Sequence, residues 1–397
     1  AGEKVLDSIA SPAIAILGFC TSLQPYNIVI NNIDTKKFFI IINFNSSKFK
    51  DTNFKKMIRQ TFFYLLILMI FNSCSKDTVI SSLEINPVLI DSEINIRALE
   101  IKNNRVYSAT SNGTVLYFDI DKSDVISEIT YKIENDSIVP NFRSLAVTEK
   151  DVFTISISNP ALLFKNGRLV YKEEHPKVFY DSMEFWNNKE GIVVGDFTDN
   201  CISVLVTRDG GDSWNKLDCS VFGDIKDSEG FFAASDTNIS IIDDYTWIAS
   251  GGINSRVYFS KDKGRSWEIF NTPILQGEST TGIFSIDFYD KKNGYAIGGD
   301  YTKPEINSLN KIITSDGGKT WKSIADNQNP GYRSCVQYFP NSDGKKLLAV
   351  GFDGIDYSSD SGMTWKHFSD EGYYTVRFLN DTVAFAAGNG KISKLYF

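Results

Sequence analysis

Histidine is scarce, with only His175 and His367 in 397 residues, and the five cysteines (Cys20, Cys74, Cys201, Cys219 and Cys335) form no CxxC pair. Without an HExxH helix or a Cys/His ligand set, a zinc site or a dithiol redox centre has nothing to be built from, and no metal is expected. Positive charge is also in deficit: 41 Lys and Arg face 49 Asp and Glu, a formal net charge of −8. Such a chain lacks the basic surplus that neutralises phosphates, which argues against nucleic acid or an anionic membrane surface as partner. No GxGxxG segment occurs, so neither a nucleotide nor any other cofactor is expected. Gly318-Lys319-Thr320 imitates the end of a phosphate loop, but Ile313 stands where the first glycine is required. What the chain does have is apolar and aromatic: 42% hydrophobic residues, 29 Phe and 18 Tyr. That composition suffices for a core and favours strands over helices, so the chain reads as all-β.

One short apolar run punctuates the front. Met57 and Arg59 precede an apolar stretch from Phe62 to Phe71, followed by small residues and Cys74. This is the grammar of a signal peptide, and the run is too short to span a bilayer comfortably. The segment FNSC resembles the lipobox of bacterial lipoproteins, which implies a signal at 57–73 and lipidation of Cys74. Ser75-Lys76-Asp77 resembles the export tag that follows the lipidated cysteine in surface lipoproteins of Bacteroidetes. Residues 1–56 precede this signal, begin with Ala and turn into an Asn/Ile/Phe/Lys-biased stretch. They are expected to be an upstream extension outside the mature fold. The expected organisation is therefore an extension at 1–56, a signal at 57–73, a lipid-anchored linker and closing strand at 74–94, and a repeat domain at 95–397. The address this implies is export, with attachment to the outer membrane or cell surface of a Gram-negative bacterium through the lipid alone.

Four segments share the pattern [ST]xDxGx[ST]W, at 207–214, 260–267, 314–321 and 358–365. Their aspartates, Asp209, Asp262, Asp316 and Asp360, are spaced by 53, 54 and 44 positions, close to one four-stranded blade per repeat. A tight hairpin explains the residue types. The carboxylate accepts N–H groups of its own turn, the glycine two positions on supplies a positive φ, and Trp214, Trp267, Trp321 and Trp365 lie on the outgoing strands. Seven segments recur as innermost strands: 96–101, 142–147, 180–185, 231–235, 283–288, 332–338 and 373–378. Residues 74–397 span 324 positions, and seven blades of roughly 45 residues fill them. About 20 residues follow the last inner strand, so residues near 78–90 are expected to return and complete the final blade, hiding its open edge.

The four motifs resemble those of the BNR or Asp-box repeat family, and the repeat count and size resemble the photosystem II stability/assembly-factor type of propeller, related to sialidase-like and WD40/YVTN-like rings. The resemblance covers residues 95–397 and implies a seven-bladed β-propeller of four-stranded antiparallel sheets, with the boxes at the periphery and not at a reaction centre. Segments such as GIFSIDF, GGDY and YRSCVQY are similar to lipoproteins of Bacteroidetes sometimes labelled oxidoreductase, a chemistry for which no nucleotide fingerprint is present.

Aligned inner strands place Arg97, Arg143, Asp181, Arg333 and Tyr374 at equivalent positions around the axis. Three guanidiniums at one height require compensation, by Asp181, by Glu229 or by a carboxylate- or sulfate-bearing ligand. Asp196 and Asp300, each after a glycine at a strand end, are rim candidates with Tyr374. Cys201 and Cys219 flank Gly210 symmetrically and should face each other across two strands, as a disulfide or as two buried thiols. Three functions compete. A non-enzymatic binding or assembly scaffold for a protein or glycan partner, monomeric, ranks first because every strong motif is structural. A glycoside hydrolase of sialidase type would use the arginine trio with Tyr332, Asp181 and Glu229. Sialidases, however, resemble six-bladed rings with an Arg-Ile-Pro strand, and no such tripeptide occurs. A surface lectin would stack sugars on rim aromatics.

Overall fold

The computed structural model describes residues 80–397, apart from 123–124, 132–137, 200, 224 and 226–228. The expected extension at 1–56, the signal at 57–73 and Cys74 lie outside the described residues.

The chain is an all-β propeller of small antiparallel sheets. Three sheets are simple four-strand meanders in chain order: Phe142–Val147 through Arg168–Glu173, Tyr180–Phe185 through Asn215–Lys216, and Cys335–Tyr338 through Lys366–Ser369. A fourth, Ile239–Ile242 through Glu268–Asn271, has the same form but is interrupted by the two-residue strand Gly251–Gly252. That strand joins Glu229–Gly230 to the edge of a six-stranded sheet, whose other members run from Thr281–Phe288 to Lys322–Ser323. The last sheet also has six strands, ordered Thr375–Phe378, Val383–Tyr396, Glu84–Lys102, Arg105–Thr110, Thr114–Asp119 and Ser127–Thr130.

The strands thus form six sheets, which corrects the seven blades expected from spacing. The reason lies in Glu84–Lys102, a strand of 19 residues. Its first part pairs with the C-terminal strand, Glu84 opposite Tyr396 and Ile90 opposite Lys391, and its last part pairs with Arg105–Thr110. Counting by spacing separates these two sets of strands, whereas hydrogen bonding joins them.

A second correction concerns 231–235, expected as an inner strand. It is not a strand; the inner strand of that sheet is Ile239–Ile242. Residues 234–237 instead cross the axis of the ring. The Ala234 carbonyl accepts from Arg97, Ser235 donates its hydroxyl to the Ser334 carbonyl at 2.6 Å, and the Ser235 carbonyl accepts from Thr375 Oγ1 at 2.8 Å. The Asp236 carboxylate accepts the N–H groups of Leu145 at 2.9 Å and Met183 at 3.2 Å, and Thr237 donates to Ser285 Oγ at 2.8 Å. Five strands, and Ser334 just before a sixth, therefore share the polar groups of one short segment. Small side chains at 233–235 let it enter the crowded axis, and pairing with surrounding strands replaces the ladder it does not form.

Between sheets the core is aliphatic and aromatic. Phe153, Leu163, Met183, Val193 and Trp214 fill one interface, and Trp247, Phe259, Ile286, Phe288 and Trp321 another. Each [ST]xDxGx[ST]W turn joins the last two strands of its sheet, so the turns lie on the outer hairpins. Asp316 shows the pattern: Oδ1 accepts from Thr314 Oγ1 at 2.9 Å and from the N–H groups of Lys319 and Thr320 at 3.1 and 3.0 Å, and Oδ2 accepts the Thr320 hydroxyl at 2.7 Å. Asp209, Asp262 and Asp360 bind the same groups of their own turns. The glycine two residues on has a role beyond its positive φ. A Cβ on Gly211 would lie 2.2 Å from the Phe153 ring, and one on Gly362 the same distance from the Tyr295 ring, each ring belonging to the preceding sheet. The turns therefore also dock neighbouring sheets.

Candidate functional site

Inner strands, the connections at their ends and the start of the axial segment line an open cavity of about 1080 Å³. Nine of its 21 lining residues are aromatic, among them Phe179, Phe232, Phe284, Tyr301, Tyr332, Phe352 and Tyr374, so its walls are suited to apolar or ring-bearing chains. Phe232, which follows the strand Glu229–Gly230, stacks on Phe284 with ring centroids 3.7 Å apart, and Tyr332 meets Phe284 edge-on at 4.8 Å. At the cavity's border Ile253, Tyr301 and Phe352 keep 45%, 45% and 40% of their surface in solvent. Such exposure of large apolar groups around one opening marks an interaction surface.

Arg97 and Arg143 also line the cavity. Arg97 lies over the Tyr374 ring, 3.9 Å from its centroid, and donates to the Ala234 carbonyl at 3.2 Å, while its Nε is buried without a partner. Arg143 makes no hydrogen bond or ion pair among the described residues. Burial lowers the pKa of both, and for Arg143 the positive charge of Arg97 lowers it further. The third arginine is elsewhere. Arg333 is buried, with Nε and Nη2 each 2.7 Å from Asp356 Oδ2, and His367 Nδ1 sits 3.0 Å from the other oxygen of Asp356. Expected convergence of three guanidiniums is therefore corrected to two, because a carboxylate inside its own sheet holds Arg333 away from the cavity.

The acidic candidates divide in the same way. Glu229 lines the wall but is neutralised by Arg256 Nε and Nη2 at 2.5 and 2.8 Å and by the Tyr258 hydroxyl. Asp300 binds the N–H and hydroxyl of its neighbour Thr302 and does not line the cavity. Asp196 does line it; burial pushes its pKa up to about 6 despite the hydrogen bond that Oδ1 accepts from the Phe231 N–H at 2.7 Å. Asp181 lies fully buried behind the wall, with neither carboxylate oxygen hydrogen-bonded. Burial raises its pKa well above the ordinary aspartate value and the charge of Asp196 adds to this, against the opposing effects of the Ala233 N–H and Arg143.

The structure thus brings together Arg97, Arg143, Asp196, Tyr332 and Tyr374, with Asp181 behind them, and leaves Arg333 and Asp300 apart. Reading by residue type missed Phe232, Phe284 and the axial segment. Its one signal was the run Ala233-Ala234-Ser235-Asp236-Thr237-Asn238, which breaks the apolar alternation of an inner strand. Cys201 and Cys219 are bridged, with Cα atoms 5.8 Å apart, and Cys219 begins the stretch that leads to Glu229. Among the described residues no group of three or more His, Cys, Asp and Glu could hold a metal ion.

No protein-family model matches the sequence, and no curated protein matches it. Solved structures do match in fold. YCF48 bound to D1 peptide superposes with a TM-score of 0.57 at 13% identity, covering 80% of this chain and 97% of that one. U3-55K gives 0.56 at 12% identity, covering 80% and 98%, and the RRP9 WD40 repeats give 0.55 at 11%, covering 79% and 97%. Identities this low carry the propeller fold and nothing finer.

Proposed function

We propose that this protein is an exported binding scaffold that captures a protein partner at the aromatic cavity and performs no chemistry on it. The observation that carries the reading is the cavity itself, apolar at its border and walled by rings, with its wall carboxylate Glu229 spent on an internal ion pair. The structural likeness to YCF48 bound to D1 peptide supports a propeller of this size acting through a protein segment. A hydrolase of sialidase type is disfavoured by the pairing of Arg333 with Asp356, which removes one of the three arginines it would need. Glycans are the weaker alternative partner, and the net charge of −8 disfavours nucleic acid.

Export is supported by the signal-like run before Cys74, and the Cys201–Cys219 bridge is in keeping with an oxidising compartment. Lipidation of Cys74 would tether the ring and leave the cavity free to meet a partner. The Asp-box character of the four turns and a monomeric state belong to the same reading.

A photo-crosslinking residue at Tyr301 or Phe352 tests it. The expected product is a discrete polypeptide adduct from the native host, lost on Phe232→Ala, with no turnover of a fluorogenic sialoside. Sialoside turnover abolished by Arg143→Ala, or glycan-array hits with no polypeptide adduct, would replace the scaffold by a hydrolase or a lectin. Palmitate labelling lost in Cys74→Ser tests the tether separately.

A further inference from the structure

A cavity walled by rings would be served well enough by neutral polar groups, yet two cationic side chains are sunk into it. Neither Arg97 nor Arg143 meets a carboxylate within ion-pairing distance among the described residues. Two guanidiniums lining one cavity, with the charge of Arg97 disfavouring that of Arg143, are unfavourable unless an anion is supplied. The residue placed to supply one is Asp181, fully buried and unpaired at both oxygens. The axial segment adds a shape constraint, since Ala233 and Ala234 line the cavity beside these groups and the Ala234 carbonyl accepts from Arg97.

We infer that the cavity floor is a carboxylate site, in which Arg97 and Arg143 take the anionic end of an aromatic or apolar chain and Asp181 competes with that end for Arg143. The inference rests on the reading of the cavity as the binding surface and names the chemistry it selects. A neutral Asp181 leaves both guanidiniums uncompensated and open to the ligand. An ionised Asp181 satisfies Arg143 from behind, so the ligand's carboxylate and the Asp181 charge exclude each other. Binding is then linked to proton uptake, and affinity falls as pH rises through the Asp181 titration of the free protein, by at most tenfold per unit for one proton. The groups that face Asp181 are Arg143 from the strand Phe142–Val147, Asp196 from Gly191–Thr198 and the Ala233 N–H from the axial segment; Arg97 and Tyr374 lie beyond Arg143. Asp196, whose pKa burial raises to about 6, is a competing source of a slope. Asp181 acts through Arg143, as a positioning residue.

The test uses the full chain with N-acetylphenylalanine as probe and its carboxamide as the neutral control, by NMR or calorimetry from pH 5 to 9. The free acid is expected to bind at least tenfold more tightly than the amide, and Arg143→Gln to abolish the difference. Asp181→Asn should hold its affinity at high pH and lose the slope, while Asp196→Asn keeps it. Equal binding of acid and amide overturns the carboxylate site but leaves the cavity a binding surface. Binding of neither probe, nor of a short peptide ending in a free phenylalanine, sinks the site together with the cavity reading. A slope that survives Asp181→Asn and vanishes in Asp196→Asn removes Asp181 from the account. Tighter binding of the peptide than of the small acid assigns the carboxylate to a polypeptide end and equal binding to a free acid; either keeps the site.

Discussion

Aspartates at the two extremes of this ring live opposite lives. On the outer hairpins Asp209, Asp262, Asp316 and Asp360 accept bonds from hydroxyls and N–H groups of their own turns, and these bonds outweigh the effect of burial and hold every one below the ordinary aspartate range, Asp209 at about 2. Along the axis Asp181, Asp196, Asp236 and Asp287 are pushed up, because burial outweighs the few donors that reach them. The same side chain is thus a satisfied clamp at the rim and an under-compensated acid at the centre. Repetition goes with satisfaction: four rim turns repeat one solution, whereas no two axial acids have the same partners.

That contrast can be broken by substitution. The largest effect is expected where the rim turn docks the neighbouring sheet. Trp247 is fully buried, stacks on Phe288 at 3.7 Å and donates to the Gly317 carbonyl at 2.8 Å. Trp247→Ala should cost about 3–5 kcal/mol, read as a lowered denaturation midpoint. Removing one clamp, Asp316→Ala, should cost about 1–2 kcal/mol through lost charge-assisted bonds and leave probe binding at the cavity unchanged. If binding changes as well, rim and axis are coupled and the division between them is wrong.

The smallest effect is a pH dependence of opposite sign at the two places. Rim aspartates have lowered folded pKa values, so their contribution is present above the unfolded value near 4 and is lost as pH falls through the folded values, which for Asp209 is about 2. Half-buried Glu184 and Asp287 are pushed up to about 7, in both cases chiefly by burial. Their contribution is complete below the unfolded value and is lost as pH rises through about 7. Urea midpoints should therefore be higher at pH 5 than at pH 8, and Glu184→Gln with Asp287→Asn should flatten that difference. A midpoint that rises from pH 5 to 8 would show that these acids are ionised and paired in the native protein.

The same division governs what could be read from the sequence. A rim turn is built by residues within eight positions of each other, so Thr314, Asp316, Gly318 and Trp321 announce their hairpin unaided. The axis is built by residues 48 to 140 positions apart, from Thr237 with Ser285 to Thr375 with Ser235, and no local pattern reports such pairs. Alignment of inner strands placed Arg97, Arg143 and Tyr374 at one height, and these do share the cavity. It also placed Arg333 there, because spacing reports height along a strand and not which carboxylate the side chain finds. The blade count failed for a related reason: a 19-residue strand that serves two sets of partners reads as two elements when counted by period.

The contrast between rim and axis is most directly tested by following side-chain carboxyl carbons through a pH titration with ¹³C NMR. The account predicts that Asp209, Asp262, Asp316 and Asp360 titrate below the ordinary range, while Asp181, Asp196 and Asp287 titrate above it. A single set of titrations near pH 4, shared by rim and axis alike, would contradict it.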